Sequence, residues 1–563
     1  MAKISVIIPV IQRANHIDEL LSILLIQSEK DIEIICPVAK DSEYMKLLEN
    51  YAVLDSRIKV LRLENEQQWL SASVEAATAD FVIFFRPATV IATAFLQYLL
   101  ELVNSREDVD FVYAPLTYKD EVFFQDHSLS SVSVEDFSSQ DAEGYFTPDA
   151  MGKAFMQKAD REFFGKLIRR DFLQNLISKQ AFTNDETVLF YNCLFKARSI
   201  VYTLRELMFE WHFSDPFLPQ SYKIEQENIK ISVIMPVYNA GKHLARCLDS
   251  LVLQTYQNLE FICVNDGSTD GSGEVLQQYA AKDKRFKIIT QENKGVSVTR
   301  NVALEAVSGD YVSMVDADDF VSLALYQKFA AIVQKEEKQI DLFQFNGLRF
   351  FDTNGFNPFL IHVLYHASDW GDFFNGHYHG FYPHVNMADD LIWNKIYRTE
   401  WLRQNNIRFA KGLVFEDRLF SLEAHLRAEN KYILENYLYF YRQHPNSISH
   451  SLQENVFDIF KILEKEEEVL RKFGIFENVK YMFFKYHVME YWLVVMLTDN
   501  KYMEGFIQTA RERLKSYMAR TELDESVLRE GSFMEIYDDI MTLSPEQIRI
   551  KHQGAPLDAP LSY

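Results

Sequence analysis

The chain has 563 residues, which is too long for a single hydrophobic core and predicts about three or four structural units. Its composition, 48% hydrophobic and 25% charged, is typical of a folded globular protein and excludes a mainly disordered chain. The 81 Asp and Glu residues exceed the 58 Lys and Arg residues by 23, which argues against a nucleic-acid binder and against polybasic adhesion to anionic lipid.

The first predicted element is a short apolar segment at residues 4–11, which contains Pro9 and lacks a cleavage signature, so it is predicted to be a strand rather than a signal peptide. The octapeptide KISVIIPV at positions 3–10 returns as KISVIMPV at 230–237, which places Pro9 and Pro236 227 positions apart. Four further pairs keep this spacing: His16 and His243, Gln27 and Gln254, Glu33 and Glu260, and Cys36 and Cys263. The spacing predicts that one ancestral unit was duplicated.

In the second copy, the first strand is followed by a helical segment in which Leu244, Leu248 and Leu251 share one face. Further strands are predicted at 259–264, 286–289 and 311–315, with helices between them. This alternation predicts an α/β fold with a mainly parallel sheet covered on both sides. Ligands of such sheets bind beyond the carboxyl ends of the strands, so the residues just after those ends are candidates for chemistry.

The remaining segments are a linker and a helical region. Residues 214–228 are polar, contain two prolines and are predicted to link the two copies. From residue 451 onward the pattern becomes helical, and its most apolar stretch, 481–497, carries Lys485, His487 and Glu490, so it is predicted to be a buried helix rather than a membrane span. The four cysteines form no CxxC pair, which predicts reduced thiols in a cytosolic protein.

The octapeptide at 265–272, which contains Asp266, follows the second strand of this copy. Its glycines allow a tight turn, and the Asp266 carboxylate can accept hydrogen bonds from a base N–H or a ribose hydroxyl. An ordinary Asp-Gly turn that caps the next helix explains the same pattern equally well.

The triplet Asp316-Ala317-Asp318 follows the strand at 311–315. In an extended chain the two carboxylates project to the same side, where they repel each other unless a cation or hydrogen-bond donors compensate. A hard divalent cation can join such carboxylates to a diphosphate and stabilise a leaving nucleoside diphosphate. A surface turn is the alternative, but the neighbouring Asp266 favours a metal and diphosphate site.

Two further segments supply candidate cations and a candidate base. Lys294 and Gly295 offer a charge and a close backbone approach for a nucleotide, and Arg300 holds either the nucleotide or an acidic neighbour. Glu416 or Asp417 can remove the proton of an acceptor hydroxyl, although an acidic pair at a helix start is more often a cap. His444 can complete a metal site, although a lone loop histidine is more often structural.

Taken together and in order, these motifs resemble glycosyltransferase family 2, which has the GT-A fold. The resemblance implies an α/β chain with two tandem GT-A domains, of the Rossmann-like nucleotide-diphospho-sugar transferase type, plus a C-terminal helical region. It implies inverting transfer from a UDP-sugar with Mn²⁺ or Mg²⁺, in which Asp266 contacts uracil, Asp316 the ribose and Asp318 the metal, with Asp417 as the base and His444 as a further metal ligand. The residues expected to bind the nucleotide sugar are Pro236, Tyr238, Asn239, Asp266, Lys294, Gly295, Arg300, Asp316 and Ala317.

The first copy departs from this pattern. Ala39 stands in the place of Asp266, Arg86-Pro87-Ala88 in the place of the Asp316 triplet, and Glu186-Thr187 in the place of Glu416-Asp417. An arginine cannot ligate a metal. We therefore expect residues 1–220 to be a catalytically inert GT-A-like domain that serves packing, dimerisation or acceptor binding, residues 229–450 to be catalytic, and residues 451–563 to be helical.

The function predicted from the sequence is sugar transfer from a UDP-sugar donor to a glycan or glycolipid acceptor in bacterial capsule or lipooligosaccharide synthesis. The predicted location is the cytoplasm, extending to peripheral association with the inner face of the cytoplasmic membrane, with homo-oligomerisation left open and nucleic acid excluded as a partner. Two alternatives are a sugar nucleotidyltransferase and a non-catalytic glycan-binding scaffold.

Overall fold

The computed structural model describes two related α/β units followed by a group of helices. The described residues are 4–11, 14, 16–27, 31–91, 95–104, 109–113, 117–119, 143–146, 164–178, 193, 200–203, 208–211, 224, 227–351, 362–363, 376–378, 391–443, 453–498, 501–523 and 533–552.

The strands alternate with helices in both units, as the apolar periodicity predicts. The strands are β1 Ile4–Ile7, β2 Ile32–Ala39, β3 Ile58–Leu63, β4 Phe81–Phe84, β5 Thr89–Ile91, β6 Phe111–Tyr113, β7 Thr117–Lys119, β8 Glu143–Phe146, β9 Leu167–Arg169, β10 Ile200–Thr203, β11 Met208–Trp211, β12 Ile231–Val237, β13 Leu259–Asp266, β14 Phe286–Gln291, β15 Tyr311–Met314, β16 Phe320–Val321, β17 Leu342–Phe351, β18 His362–Val363, β19 Gly376–Tyr378, β20 Lys395–Arg398 and β21 Lys431–Gln443.

The helices of the two units are α1 Ile17–Leu25, α2 Met45–Leu54, α3 Trp69–Ala76, α4 Phe95–Asn104, α5 Arg170–Ser178, α6 Leu244–Val252, α7 Ser272–Lys282, α8 Val296–Ala306, α9 Leu325–Lys335, α10 Thr399–Gln404 and α11 Glu416–Arg427. The C-terminal helices are α12 Asp458–Lys472, α13 Phe476–Leu497, α14 Met503–Thr521, α15 Phe533–Thr542 and α16 Pro545–Lys551.

The two main sheets repeat the same strand order. The first runs β3-β2-β1-β4-β9-β6-β10-β8, and the second runs β14-β13-β12-β15-β20-β17-β21-β16, so seven successive strands correspond one to one. A separate three-stranded sheet joins β5, β11 and β7, while β18 and β19 pair with β17 and β21 of the second sheet. The duplication read from the 227-residue spacing is therefore repeated in the topology.

The prediction of a mainly parallel sheet is confirmed, although β9 in the first sheet and β20 in the second each run antiparallel to both of their neighbours. Strands β14, β13, β12 and β15 are parallel, as expected for strands joined by helices. Strand β20 then runs antiparallel to both β15 and β17, which makes the sheet mixed. The carboxyl ends of the parallel strands still meet at one edge, so the expected location of the site is unaffected.

A buried carboxylate network also recurs in both copies. Glu33 accepts hydrogen bonds from Ser5 Oγ at 2.5 Å and from Lys59 Nζ at 2.5 Å. At the matching position of the second copy, Glu260 accepts from Ser232 Oγ at 2.5 Å and from Lys287 Nζ at 2.7 Å. Each carboxylate joins the first two strands of its sheet to the third, which explains why the Ser and Glu positions recur in the sequence.

The two copies share a buried interface. Helix α1 of the first copy packs against β21, and the core cluster of the first copy includes Phe320, Leu323 and Phe440 of the second copy. Asp18 accepts hydrogen bonds from Lys328 Nζ at 2.9 Å and from Ser322 Oγ, and all three residues are buried. The apolar contacts and the buried Asp18–Lys328 ion pair together fix the orientation of the two copies relative to each other.

The C-terminal helices form their own core and also contact the second copy. Their apolar cluster is built from aromatic residues such as Phe460, Phe484 and Trp492, and it includes Leu422 of α11. Helix α13 contains the 481–497 stretch, which confirms that this stretch is a helix. Across the described helices, none is both long enough and apolar enough to cross a lipid bilayer.

Candidate active site

The candidate site lies at the carboxyl edge of β12, β13 and β15. Asp266 ends β13 and is only 3% exposed. Its carboxylate accepts hydrogen bonds from three donors of the protein. Oδ1 accepts from Gln291 Nε2 at 2.7 Å and from the Lys294 N–H at 2.9 Å, and Oδ2 accepts from the Gly295 N–H at 2.9 Å. A carboxylate offers about four acceptor positions, so Asp266 shapes the 294–295 turn and retains capacity for a ligand donor.

Hydrogen bonds hold the segment after β12 against the turn after β13. Asn239 has a left-handed backbone conformation, with φ +48°, and its side-chain Oδ1 accepts from the Thr269 N–H at 2.8 Å. Its own N–H donates to Ser268 Oγ at 3.1 Å. The preceding residue, Tyr238, is 55% exposed, which is unusual for a large aromatic side chain. The hydrogen-bonded segment thus places the exposed Tyr238 ring beside Asp266, where a flat ligand ring can stack on it.

Arg300, on α8, joins two of the predicted acidic segments. Its Nη2 donates to Asp316 Oδ1 at 2.9 Å, and its Nη1 donates to Glu416 Oε1 at 2.5 Å. Burial lowers the pKa of Arg300, but the charges of Asp316, Glu416 and Asp417 outweigh burial and raise that pKa above its ordinary value. Of the two sequence interpretations of Arg300, the structure shows the one in which it holds acidic neighbours.

The Asp316 triplet forms the turn that follows β15. Asp316 and Asp318 are partly exposed, whereas Ala317 and Asp319 are buried. Asp319 accepts from Tyr439 Oη at 2.6 Å and from the Arg442 N–H at 2.7 Å, and the same Tyr439 hydroxyl accepts from the Asp316 N–H at 3.1 Å. Asp319, the third acid of this run, therefore anchors the turn to β21, and Asp316 and Asp318 face the open edge.

A divalent cation is implied here by the family resemblance. Burial, with the charges of Asp318 and Asp316, raises the pKa of Asp319 well above its ordinary value, which indicates a surplus of negative charge at this turn. Within the described ranges no three His, Cys, Asp or Glu side chains converge as a complete metal cage. Mg²⁺ and similar cations are commonly held by one or two carboxylates together with substrate phosphates and water, so Asp318 fits such a cation.

Glu416 and Asp417 begin α11, directly after Phe415, which has a left-handed backbone conformation with φ +67°. Glu416 is buried, and burial raises its pKa to about 7 although the nearby Arg300 charge opposes this shift. Asp417 is partly exposed, and its Oδ1 accepts from the Arg418 N–H at 3.1 Å. The two acids are thus distinct: one is tied to Arg300 inside the protein, and the other faces outward.

Arg418, which follows this pair, was missed by sequence reasoning. It is 3% exposed, its Nη1 lies 2.6 Å from Glu490 Oε2 of α13, and its guanidinium lies 4.6 Å from the centre of the Tyr486 ring. Nearby, the Val414 N–H donates to Asp458 Oδ2 of α12 at 3.2 Å. The C-terminal helices therefore hold the start of α11 in place, a role that their sequence pattern did not indicate.

Aromatic rings line the β21 side of the candidate site. Trp393 stacks on Tyr439 with ring centres 4.3 Å apart, and on Tyr441 at 5.7 Å. Gly347 makes room for this stack, since a Cβ there would lie 2.5 Å from the Trp393 ring. The stacking of Trp393 on Tyr439 joins residues that are far apart in the sequence and could not be read from it.

The described part of the first copy has the same strand order and register but different side chains at the site positions. Phe81 of β4 pairs with Ile4 as Tyr311 of β15 pairs with Ile231, which makes residues 86–88 equivalent to 316–318. Arg86 lies over the Phe164 ring at 4.5 Å. Ala39 ends β2 as Asp266 ends β13. The sheet register therefore confirms that Arg86 occupies the position of Asp316.

The other predicted site residues are partly described by the structure and partly lie outside the described ranges. Pro236 lies at the end of β12 and is partly exposed, and the side chain of Lys294 is exposed. His444 and most of the predicted linker at 214–228 lie outside the described residues. The structure brings together Asp266 with the 294–295 turn, and Asp316 with Arg300 and Glu416.

Both α/β units are similar to known proteins. The model of Glycosyl transferase family 2 matches residues 5–177 and again residues 232–404. A 237-residue stretch is 35% identical to Glycosyltransferase GlyA of Streptococcus pneumoniae serotype 4, covering 39% of this chain and 31% of that protein. A 236-residue stretch is 34% identical to Uncharacterized glycosyltransferase EpsJ of Bacillus subtilis, covering 39% of this chain and 62% of that protein.

Among solved structures, S. aureus TarS 1-349 in complex with UDP-GlcNAc is similar, with 20% identity and a TM-score of 0.37, covering 58% of this chain and 92% of that one. The chain spans less than two thirds of the length of the two bacterial relatives it matches. The two family matches together cover more than half of the chain and coincide with its two α/β units. The chain therefore belongs to glycosyl transferase family 2.

Proposed function

We propose that residues 229–450 transfer a sugar, with inversion at the anomeric carbon, from a UDP-sugar to a glycan acceptor. The observation that carries the proposal is the buried Arg300, which bonds both Asp316 at the donor edge and Glu416 beside the candidate base. Membership of the family supports glycosyl transfer as the reaction class. Bacterial capsule or lipooligosaccharide synthesis is the setting that the tandem arrangement suggests.

The donor half of the proposed site is the edge formed by Asp266, Asp316 and Asp318. Asp266 and the neighbouring Tyr238 ring would hold the uracil, and Asp316 would face the ribose. Asp318, with His444, would hold Mn²⁺ or Mg²⁺, which supplies charge stabilisation for the departing diphosphate. Lys294 is exposed beside this edge and would offset further phosphate charge.

The acceptor half is the start of α11. In the proposed reaction an acceptor hydroxyl oxygen bonds to the anomeric carbon while the bond from that carbon to the UDP oxygen breaks, and the hydroxyl proton passes to a carboxylate. Asp417 suits this role better than Glu416, because it is partly exposed whereas an oxygen of Glu416 is tied to Arg300. Glu416 would instead position Arg300 relative to the donor edge.

The first copy is proposed to be non-catalytic. It lacks carboxylates at the positions of Asp266, Asp316 and Asp318, and its helix α1 supplies the buried Asp18 and Glu19 to the interface with the second copy. The contacts of the described residues therefore support a packing role for the first copy. Domain limits of 1–220, 229–450 and 451–563 remain part of this proposal.

The decisive experiment incubates the full-length chain with a panel of UDP-sugars and Mn²⁺ and measures UDP release, with EDTA as the control. We expect metal-dependent release for at least one sugar, its loss in Asp318→Ala and its retention in Arg86→Ala. Retention in Asp318→Ala with loss in Arg86→Ala would reverse the roles of the two copies. Pyrophosphate-dependent formation of UTP would favour a nucleotidyltransferase, and absence of Mn²⁺-dependent UDP binding would favour a glycan-binding scaffold.

A further inference from the structure

A cavity of about 390 Å³ lies between α12, α13 and α14 of the C-terminal helices. Sites for small ligands usually have volumes of roughly 300–1,000 Å³, so this cavity is large enough to hold one. The residues at its base are buried, and most are aromatic: Phe460, Leu463, His487, Tyr491 and Tyr517. None of these residues takes part in the active site proposed above.

His487 is the polar group at the base of the cavity. It is 6% exposed, and its Nε2 has no hydrogen-bond partner among the described residues. Its ring lies between Tyr517 and Tyr491, with ring centres 5.1 and 5.9 Å away. Buried polar atoms in native proteins nearly always have partners, and rotation of an imidazole about its Cβ–Cγ bond can present a nitrogen to a neighbouring space.

Ion pairs surround the mouth of the cavity. Glu467 accepts from Arg471 Nε at 2.9 Å and from Arg520 Nη1 at 2.5 Å, and Arg513 pairs with Glu464. Glu468 completes the acidic lining. Three guanidinium groups and three carboxylates therefore line the space, and their formal charges cancel.

The charged and polar groups that line the cavity favour some classes of ligand over others. A phosphate or carboxylate would face three acids and would have to compete with Glu467 for two arginines. A purely apolar ligand would leave the His487 nitrogen without a partner and would remove water from the ion pairs. Sugar hydroxyls both donate and accept hydrogen bonds, and the C–H faces of a pyranose pack on aromatic rings. Burial, with the charges of Arg418, Arg520 and Arg513, lowers the pKa of His487 to about 3, so the imidazole is neutral and suits a neutral partner.

We infer that this cavity binds one neutral sugar unit of the glycan acceptor, at a subsite separate from the reacting centre. The inference rests on the proposed function for the choice of a glycan. The position of the cavity supports it, because α12 and α13 also contact Arg418, the residue that follows Asp417. A chain of sugars held here would lie beside the helix that carries the proposed base.

The test uses saturation-transfer NMR on the full-length chain in saturating UDP and Mn²⁺, so that the proposed donor site is occupied. The probes are the methyl β-glycosides of glucose, galactose and N-acetylglucosamine. Ser516 lines the cavity and is exposed, so Ser516→Trp fills the cavity without disturbing the core. Lys515→Trp adds the same ring at the preceding exposed position, which does not line the cavity, and is the matched control.

We expect at least one glycoside to bind the wild type and Lys515→Trp, and to bind Ser516→Trp about tenfold more weakly, as when a packing surface and a hydrogen bond are lost. His487→Phe, which keeps a ring and removes the nitrogens, should weaken binding similarly. If His487→Phe fails to fold, the Ser516 and Lys515 pair decides alone.

Equal binding by Ser516→Trp and Lys515→Trp, or no binding by the wild type, would overturn the inference. Tighter binding of glucose 1-phosphate than of methyl glucoside, abolished by Ser516→Trp, would overturn the assignment to a neutral sugar. UDP release by the wild type is measured on separate aliquots of the same protein preparation that contain the UDP-sugar panel and Mn²⁺ but no added UDP. Its absence would refute the proposed function and leave the NMR comparison to decide whether the cavity binds sugar.

Discussion

Arg300 and Glu416 are joined by a 2.5 Å hydrogen bond between side chains that are both buried. The other arm of the same guanidinium reaches Asp316, so one residue of α8 connects the turn after β15 with the start of α11. The planar fork of arginine can hold two carboxylates at fixed positions, whereas the ammonium of lysine is a single point charge. The geometry between the proposed donor and base halves therefore depends on this side chain.

Arg300→Lys should retain the charge and lose the bridge. We expect UDP release to fall about a hundredfold or more, because small misplacements of reacting groups are costly. Arg300→Met should also reduce the free energy of unfolding by about 3–5 kcal/mol, since it leaves buried acids unpaired. Arg285→Lys, which alters an arginine paired with Asp283 outside the candidate site, is the control for both measurements. Full activity in Arg300→Lys would contradict the bridging role.

Glu490→Gln should weaken the support that α13 gives to Arg418. We expect the free energy of unfolding to fall by about 1.5–3 kcal/mol, the usual contribution of a charged hydrogen bond. Because the start of α11 would move, kcat for UDP release with an acceptor should fall while KM for the UDP-sugar changes little. Glu477→Gln alters an exposed acid of the same helix and should leave kcat unchanged. A drop in stability with unaltered kcat would show that Arg418 serves only the core.

Lys328→Met tests the interface between the copies. The lysine ammonium lies 2.9 Å from Asp18 Oδ1 and 3.5 Å from Glu19 Oε1, and all three side chains are buried. Removing the cation takes the Lys328 ammonium away from the buried Asp18 and leaves Glu19 with His16 as its near partner, so we expect a loss of about 3–5 kcal/mol in thermal or denaturant unfolding. Lys338→Met, at an exposed position, should have no such effect. Equal stability of the two variants would show that this ion pair does not hold the copies together.

Much of the fold was readable from the sequence because the chain repeats itself. The 227-residue spacing located the strands, and a small gap that aligns Asp80 with Asp310 predicts Arg86 at the position of Asp316, as the sheet register shows. Local patterns also placed Asp266 and Asp316 at strand ends, where side chains from distant parts of the chain meet.

Long-range pairing could not be read in this way. Asp18 and Glu19 have the sequence pattern of acids in the first turn of a helix, and only the packing of α1 on β21 shows that they are buried. Arg418 and Glu490 are similarly unremarkable until α13 packs beside α11. The directions of β9 and β20, which make the two sheets mixed, depend on long connections that carry little periodicity.

The final prediction concerns acid stability and uses Glu33. Burial alone would raise the pKa of Glu33, but hydrogen bonds from Lys59, Ser5 and Thr78 outweigh it and lower that pKa from 4.5 to about 2. A depressed carboxyl pKa stabilises the folded state above the unfolded pKa, and this contribution is lost as the pH falls from about 4.5 through about 2. Glu260 has the same direction of shift, so the two copies should weaken over the same acidic range.

Glu33→Gln should therefore be less stable than the wild type at pH 7, by about 1–3 kcal/mol for the lost charged hydrogen bonds. The difference in unfolding temperature should narrow steadily as the pH is lowered from 5 towards 2, because the wild-type carboxyl then becomes protonated as well. Glu64→Gln, at an exposed pair with Lys40, should match the wild type at every pH. A difference for Glu33→Gln that stayed constant down to pH 2 would show that the side chain contributes through packing and not through its charge.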